Sequence, residues 1–313
     1  MTDLRILNLT TTADTGGQGW ALREALAAAR PGWTVDAMRR SDTWIRYPFH
    51  RDWDPDVARE LWAAADVVHL RESPDAIAML GAPPRPLVVH HHGTRYRRDP
   101  AAMSARCQAA GAIEVASTLD LVLAGGPHVR WLPGVVDVEA LEALRAATFA
   151  RRRGRLRIYH SPTNRVIKGT DDVVRAVTAL RARGLPVELE LVERLPYADN
   201  LGRKAGADIV VDQLVLGYGL NAIEAWAMGI PVVAGVVDPA VRAEMVRRFG
   251  VLPFVEATPQ TLERVLERLV RSPTRRARSA AVGRAHVERF HSQAAVVDRL
   301  EPIYRDAIER RSP

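Results

Sequence analysis

The residues of this sequence best suited to chemistry on an anion are Lys168, in the run Lys168-Gly169-Thr170-Asp171, and the glycines of Gly217-Tyr218-Gly219. Of the 44 basic residues only Lys168 and Lys204 are lysines. In so arginine-dominated a chain, that favours a specific need for an ammonium at 168 over an exposed loop lysine. A cationic side chain beside helix-terminal amides neutralises a diphosphate leaving group. Gly217 and Gly219 let the backbone approach a ligand closely, and they open a helix whose free first amides suit an anion. Glu224 lies inside that helix among Ile223, Ala225, Trp226, Ala227 and Met228. A carboxylate on so apolar a helix either occupies a thin solvated face or faces a polar ligand over the helix N-terminus.

A second set of such residues lies in the first half of the chain. Gly16, Gly17 and Gly19 form a glycine-rich turn between a first strand and a first helix, which is a phosphate-approach geometry, although the spacing is not the dinucleotide fingerprint. Arg71, Glu72 and Ser73 follow a strand, at the end where open parallel sheets bind ligands. His90-His91-His92 suggests metal, but neighbours in an extended segment point to opposite faces, so at most two converge, and no metal site is expected there. Asp52-Trp53-Asp54 mimics a D-x-D metal motif; Asp54 before Pro55 reads better as a helix N-cap with proline in the first turn. The loop carrying Trp44, Tyr47, Phe49 and Trp53 either binds sugar or lipid, or packs on its own domain.

The elements that must position these residues alternate. Strands are expected at 5–9, 34–38, 66–70, 87–89, 121–124 and 129–132, then at 156–159, 187–192, 209–211, 232–234 and 252–255. Between and after them come helical patterns, among them 21–29, 57–65, 138–150, 170–183, 197–205, 261–270, 275–290 and 293–309. Such alternation argues for two doubly wound α/β domains. A boundary is placed near Gly134, giving domains 1–134 and 135–292, with the basic run 151–155 bridging into the second.

The stretch 207–235 resembles the donor-site signature of retaining GT-B glycosyltransferases, in particular glycosyltransferase family 4. That signature is a glutamate, Gly-aromatic-Gly, a second glutamate, then small-Gly-x-Pro-Val-Val. Gly217, Tyr218, Gly219, Glu224, Ala225, Gly229, Pro231, Val232 and Val233 match it, and Leu216 stands where the first glutamate would be. Lys168-Gly169-Thr170-Asp171 resembles the family's donor-phosphate lysine; Thr163 replaces its usual arginine, with Arg165 as the substitute. The resemblance implies a GT-B fold of two facing Rossmann-like domains with an interdomain cleft, the C-terminal helix 293–313 crossing back onto the first. It implies a metal-independent retaining glycosyltransferase using a nucleotide-diphosphate sugar as donor substrate, with no cofactor. Lys168 and Arg165 would hold the diphosphate with the amides near Gly217, Tyr218, Gly219 and Leu220, and Glu224 the ribose. His92, Gly16 and Gly17 would line the sugar and acceptor side.

Composition sets outer bounds. The chain has 313 residues, 47% hydrophobic and 26% charged, enough for two cores. No apolar run approaches the roughly 20 residues of a membrane span. The N-terminus reads as a strand and not a signal peptide. Cys107 is the lone cysteine, so no disulfide framework is possible and a cytoplasmic enzyme is expected. The formal net charge of +7 reads as a solvated arginine-rich surface, or else as serving anionic donors, acidic membranes or nucleic acid. The acceptor stays open among small molecule, lipid, protein and modified nucleic acid. Two other readings remain: a GT-B nucleotide-sugar epimerase, and a non-catalytic nucleotide-sugar-binding protein, which the missing glutamate at Leu216 encourages.

Overall fold

A computed structural model describes residues 3–149 and 154–311. Ala150 and residues 151–153 of the basic run lie outside the described residues, as do the last two of the expected C-terminal helix. The chain divides into two compact units, Met1–Val135 with Gln293–Pro313, and Val136–Ser292. Among the described residues no helix is long and apolar enough to cross a membrane.

The first unit opens with β1 (Arg5–Ala13), a 3-10 turn (Thr15–Gly17), α1 (Gln18–Ala29), β2 (Thr34–Ser41), β3 (Arg51–Asp52) and α2 (Pro55–Ala64). It continues with β4 (Val67–Arg71), α3 (Asp75–Leu80), β5 (Leu87–His91), α4 (Thr94–Arg98), α5 (Pro100–Ala109), β6 (Ile113–Ala116), α6 (Leu119–Gly125) and β7 (Arg130–Trp131). The strands pair in parallel in the order β3-β2-β1-β4-β5-β6-β7. The order reverses direction at β1 and β4, so the loops after these two strands flank the switch point where such sheets take ligands. Asp54 caps α2 by accepting from the amides of Asp56 and Val57, with Pro55 in the first turn. That use as a cap accounts for its place beside Asp52 without a metal.

One expected strand is a helix. The run at 121–124 belongs to α6, with Leu119 and Val122 buried at helical spacing. A short apolar run does not reveal its period. The strand beside β5 is β6, whose apolar pattern is broken in sequence by the buried Glu114. The aromatic loop is part packed and part exposed. Trp44 and Phe49 are exposed, Phe49 under the Arg39 guanidinium, whereas Tyr47 lies against Gly17.

The second unit runs α7 (Val138–Phe149), β8 (Leu156–His160), α8 (Arg165–Lys168), α9 (Thr170–Ala182), β9 (Val187–Leu191), α10 (Tyr197–Lys204), β10 (Ile209–Val211), β11 (Leu216–Gly217) and α11 (Leu220–Ala227). It ends with β12 (Val232–Val236), α12 (Pro239–Phe249), β13 (Val255–Glu256), α13 (Leu262–Arg271) and α14 (Pro273–Phe290). The parallel strands lie in the order β9-β8-β10-β12-β13, and the short β11 pairs antiparallel with β12. This is the doubly wound order 2-1-3-4-5, whose switch point falls between β8 and β10. The helix α12 replaces what reads in sequence as connection; Asp238 caps it and Pro239 starts it. The last helix, α15 (Gln293–Glu309), belongs to the first unit, where Val296, Val297, Leu300, Ile303 and Tyr304 join the core of β1, β4, β5 and α1.

Candidate functional site

In the second unit the loops after β8 and β10 meet at the switch point. His160, the last residue of β8, is buried; its Nδ1 donates to the Val211 carbonyl at 2.9 Å, so its Nε2 accepts from the Thr170 hydroxyl at 3.0 Å. Burial holds this ring below the ordinary imidazole range, hence neutral. It thus pins the end of β10 and the start of α9 around the segment that carries Lys168. Asn164 caps α8, and Gly169, at φ 65°, lets the chain turn from α8 into α9.

Lys168 does not project free into solvent. Its Nζ donates to Oδ1 of Asp212 at 2.7 Å, while Oδ2 of Asp212 accepts from the Gly219 amide at 2.7 Å. Asp212 is 1% exposed. Burial pushes its carboxyl up, but the Lys168 charge and hydrogen bond, the Gly219 amide and Lys204 together hold it below the ordinary aspartate range. One carboxylate therefore joins the lysine to the glycine loop. A Cβ on Gly219 would stand 3.6 Å from Asp212 Oδ2 and 3.8 Å from Lys168 Nζ, which shows how closely backbone and ammonium approach. Arg165 lies on the rim, exposed, donating to Glu193 at 2.9 Å and Asp171 at 3.1 Å.

Glu224 is on no solvated face: it is 2% exposed. Its Oε1 accepts from the Tyr197 hydroxyl at 2.8 Å, and its Oε2 is paired with the buried ammonium of Lys204. The two lysines of the chain thus each hold a buried carboxylate. Tyr218 turns its side chain inward. Its hydroxyl lies 3.0 Å from His286 Nε2 and 3.2 Å from His291 Nε2, and its ring packs edge-on against Trp226. A phenol has one proton to give, so one of these imidazoles donates to it and the other accepts. The Tyr218 ring is therefore a core group that anchors the loop. Leu216, half-buried, pairs with Val236.

In the first unit the turn after β1 is already filled. Gly16 and Gly17 take φ of 69° and 63°. The Asp14 carboxylate accepts from the Gly19 amide at 2.8 and 2.9 Å and from the Trp20 amide at 3.2 Å. An internal anion thus occupies the mouth of α1, where the sequence suggested an approaching phosphate. Asp14 also lies 3.6 Å from Nε of Arg71, a guanidinium 1% exposed at the end of β4. Arg71 Nη2 donates to His92 Nε2 at 2.6 Å. Arginine only donates, so the neutral His92 ring carries its proton on Nδ1. Burial first, then the Arg71 charge, holds His92 well below the ordinary range. Glu72, next to Arg71, sits at φ 74°, a left-handed conformation costing a non-glycine residue about 1–3 kcal/mol.

The alternation expected of the three histidines holds. His90 and His92 face each other with ring centroids 4.0 Å apart, and His91 turns instead to Glu114 at 2.9 Å. Sequence reasoning missed the partners Asp14, Asp212 and Lys204. Lys204 carried a signal in being the other lysine; the two aspartates carried only their places just after strands.

No protein-family model matches the chain, and no curated protein matches it. Solved structures do match. A glycosyltransferase from Rickettsia africae superposes with a TM-score of 0.69 at 13% identity, covering 99% of this chain and 100% of that one. HepE of Anabaena in complex with UDP-glucose gives 0.66 at 14% identity, covering 97% and 100%. An alpha-glucosyltransferase in complex with UDP-glucose and DNA containing an abasic site gives 0.66 at 10% identity, with the same coverages. At such identities the likeness speaks for architecture, and with the two parallel sheets described above it shows that this chain has the GT-B fold, built from two Rossmann-like domains.

Proposed function

We propose that this protein is a retaining, family-4-like glycosyltransferase that moves a sugar from a nucleotide-diphosphate sugar to an acceptor, with no divalent metal in the transfer step. The observation that carries the proposal is the Lys168 ammonium held against the glycine loop by Asp212, at the switch point of the second unit. The glycosidic C–O bond breaks and the diphosphate leaves with the bonding pair; a fixed cation and helix amides stabilise that charge where it develops. The Gly219 amide is spent on Asp212, so this reading gives the diphosphate to Lys168 and the Leu220 and Asn221 amides. Arg165 is the outer cation. Tyr197 and Lys204 pre-orient Glu224, whose remaining lone pairs take the ribose hydroxyls. The first unit's own candidates for the acceptor side are His92, through its Nδ1–H, and the Gly16-Gly17 turn. The chain has no dedicated nucleophile in this reading; the acceptor proton passes to the leaving phosphate on the same face. The single cysteine is in keeping with a cytoplasmic setting.

The matched structures that carry UDP or UDP-glucose put UDP-sugars first in the assay. The purified protein is given a panel of nucleotide sugars with and without added manganese or magnesium, and products are weighed by mass spectrometry. Release of nucleoside diphosphate with sugar on an acceptor or on water, unaltered by the metals, is the expected result. An isomeric nucleotide sugar formed without acceptor identifies an epimerase, and binding without turnover a non-catalytic protein. Turnover that depends on added metal sinks the mechanism.

A further inference from the structure

Glu114 on β6 is 2% exposed. Its Oε2 accepts from His91 Nε2 at 2.9 Å and Ser104 Oγ at 2.8 Å, and its Oε1 lies 3.1 Å from His128 Nε2. Among the described residues its ion-pair partners are imidazoles only, with no lysine or arginine. A carboxylate so buried is costly unless a positive charge compensates it. The fully buried thiol of Cys107, on α5, closes the group: the ligand atoms of His91, Cys107 and Glu114 all lie within 4.8 Å of one another. The other nitrogen of His91, Nδ1, is buried without a hydrogen-bond partner. The surroundings are also pinned. The His91 ring stacks on Tyr96 at 3.9 Å, and the Tyr96 hydroxyl is 3.0 Å from Ser104 Oγ, which in turn holds Glu114.

We propose that His91, Cys107 and Glu114 bind a zinc ion, and that the half-exposed His128, which stands outside this cluster against the other Glu114 oxygen, swings in as the fourth ligand. The donor set of one thiolate, one carboxylate and two imidazoles suits zinc, whereas calcium and magnesium take oxygen ligands. Nitrogen and oxygen atoms sharing a tetrahedral zinc stand about 3.3 Å apart, so the His91–Glu114 edge opens by only a few tenths of an ångström. Charge balances: the dication meets one thiolate and one carboxylate, and the Cys107 proton leaves to solvent. Without metal, burial pushes that thiol up to about 12, so the thiolate forms only with the cation. Four protein ligands make a closed, structural site. The ion would tie α5, β5 and β6 to the segment bearing His128, and the proposal does not depend on the sugar-transfer reading.

The test uses the full-length protein, dialysed free of metal and then loaded with zinc or cobalt. Wild type is expected to retain close to one zinc per chain, to melt higher with zinc, and to give with cobalt a thiolate charge-transfer band and four-coordinate visible spectrum. Cys107→Ser abolishes the band and the zinc-dependent rise in melting temperature. His128→Ala, at a half-exposed position that the core does not need, keeps the band but weakens zinc binding at least about tenfold. Wild type that is folded by circular dichroism yet takes up neither ion overturns the proposal. So does Cys107→Ser with an unchanged cobalt spectrum, or His128→Ala with wild-type affinity.

Discussion

At the scale of single residues, the two lysines decide most. As a loop residue Lys168 would add little stability, but it faces a carboxylate that is wholly buried. Removing one partner of a buried pair costs about 3–5 kcal/mol, because the other charge is stranded. Lys168→Ala is therefore expected to lower the melting temperature clearly and to cut turnover at least about a hundredfold, the scale of one lost leaving-group stabiliser. The double variant Lys168→Ala/Asp212→Asn separates the two effects: stability largely returns and turnover does not. Turnover restored together with stability would remove Lys168 from the chemistry. Leu216 carries the second expectation at this scale. A site that hydrogen-bonds a hydroxyl rejects analogues lacking it, whereas an apolar site discriminates weakly. Donor profiling of wild type should show tolerance of deoxysugar or pentose donors, and Leu216→Glu should shift preference to fully hydroxylated hexoses. Equal selectivity in the two proteins would show that the leucine has no part in donor choice.

At the scale of elements, α11 is the part whose placement matters, since its first turn would meet the diphosphate. It packs on α14 where Gly283 leaves room for the indole of Trp226; a Cβ at 283 would run into that ring. The same contact region holds His286, which grips Tyr218 in the glycine loop. Overpacking a fitted core costs about 1–3 kcal/mol. Gly283→Ala is thus expected to lower the melting temperature and, by displacing the loop through Trp226 and Tyr218, to raise the donor KM more than it lowers kcat. A variant with wild-type donor KM would show that α14 does not set the loop.

At the scale of the whole molecule, the buried histidines set a pH limit. Burial holds His69, His90 and His92 in the first unit well below the ordinary imidazole value; it also lowers His160, and pushes His286 down to about 2, in the second. Each folded pKa is depressed, so below about 6.5 the unfolded chain binds more protons than the folded one. Stability is then full above that value and falls as pH drops through it, by up to about 1.4 kcal/mol per pH unit for each histidine. Urea midpoints should fall steeply between about pH 7 and pH 5. A flat profile over that window would mean these rings take up protons equally in the folded and the unfolded chain.

The alternation of strands and helices and the turn glycines are local properties, so the sequence by itself determined the two-domain α/β class. The same holds for caps such as Asp54 before Pro55, made with amides two and three residues away. Gly217 and Gly219, as turn glycines, and Lys168, as one of two lysines, stood out for the same reason. What lay beyond the sequence is pairing across distance. Asp212 meets Lys168 from 44 residues away, Glu224 meets Lys204 across two helices, and Glu114 meets His91 across neighbouring strands. No periodicity encodes such partners; only the packing of strands and helices in the folded chain brings them together. The apolar run at 121–124 failed for the converse reason. Its few residues fit either period, and the packing of Leu119 and Val122 into the core, not their own preference, made it a helix.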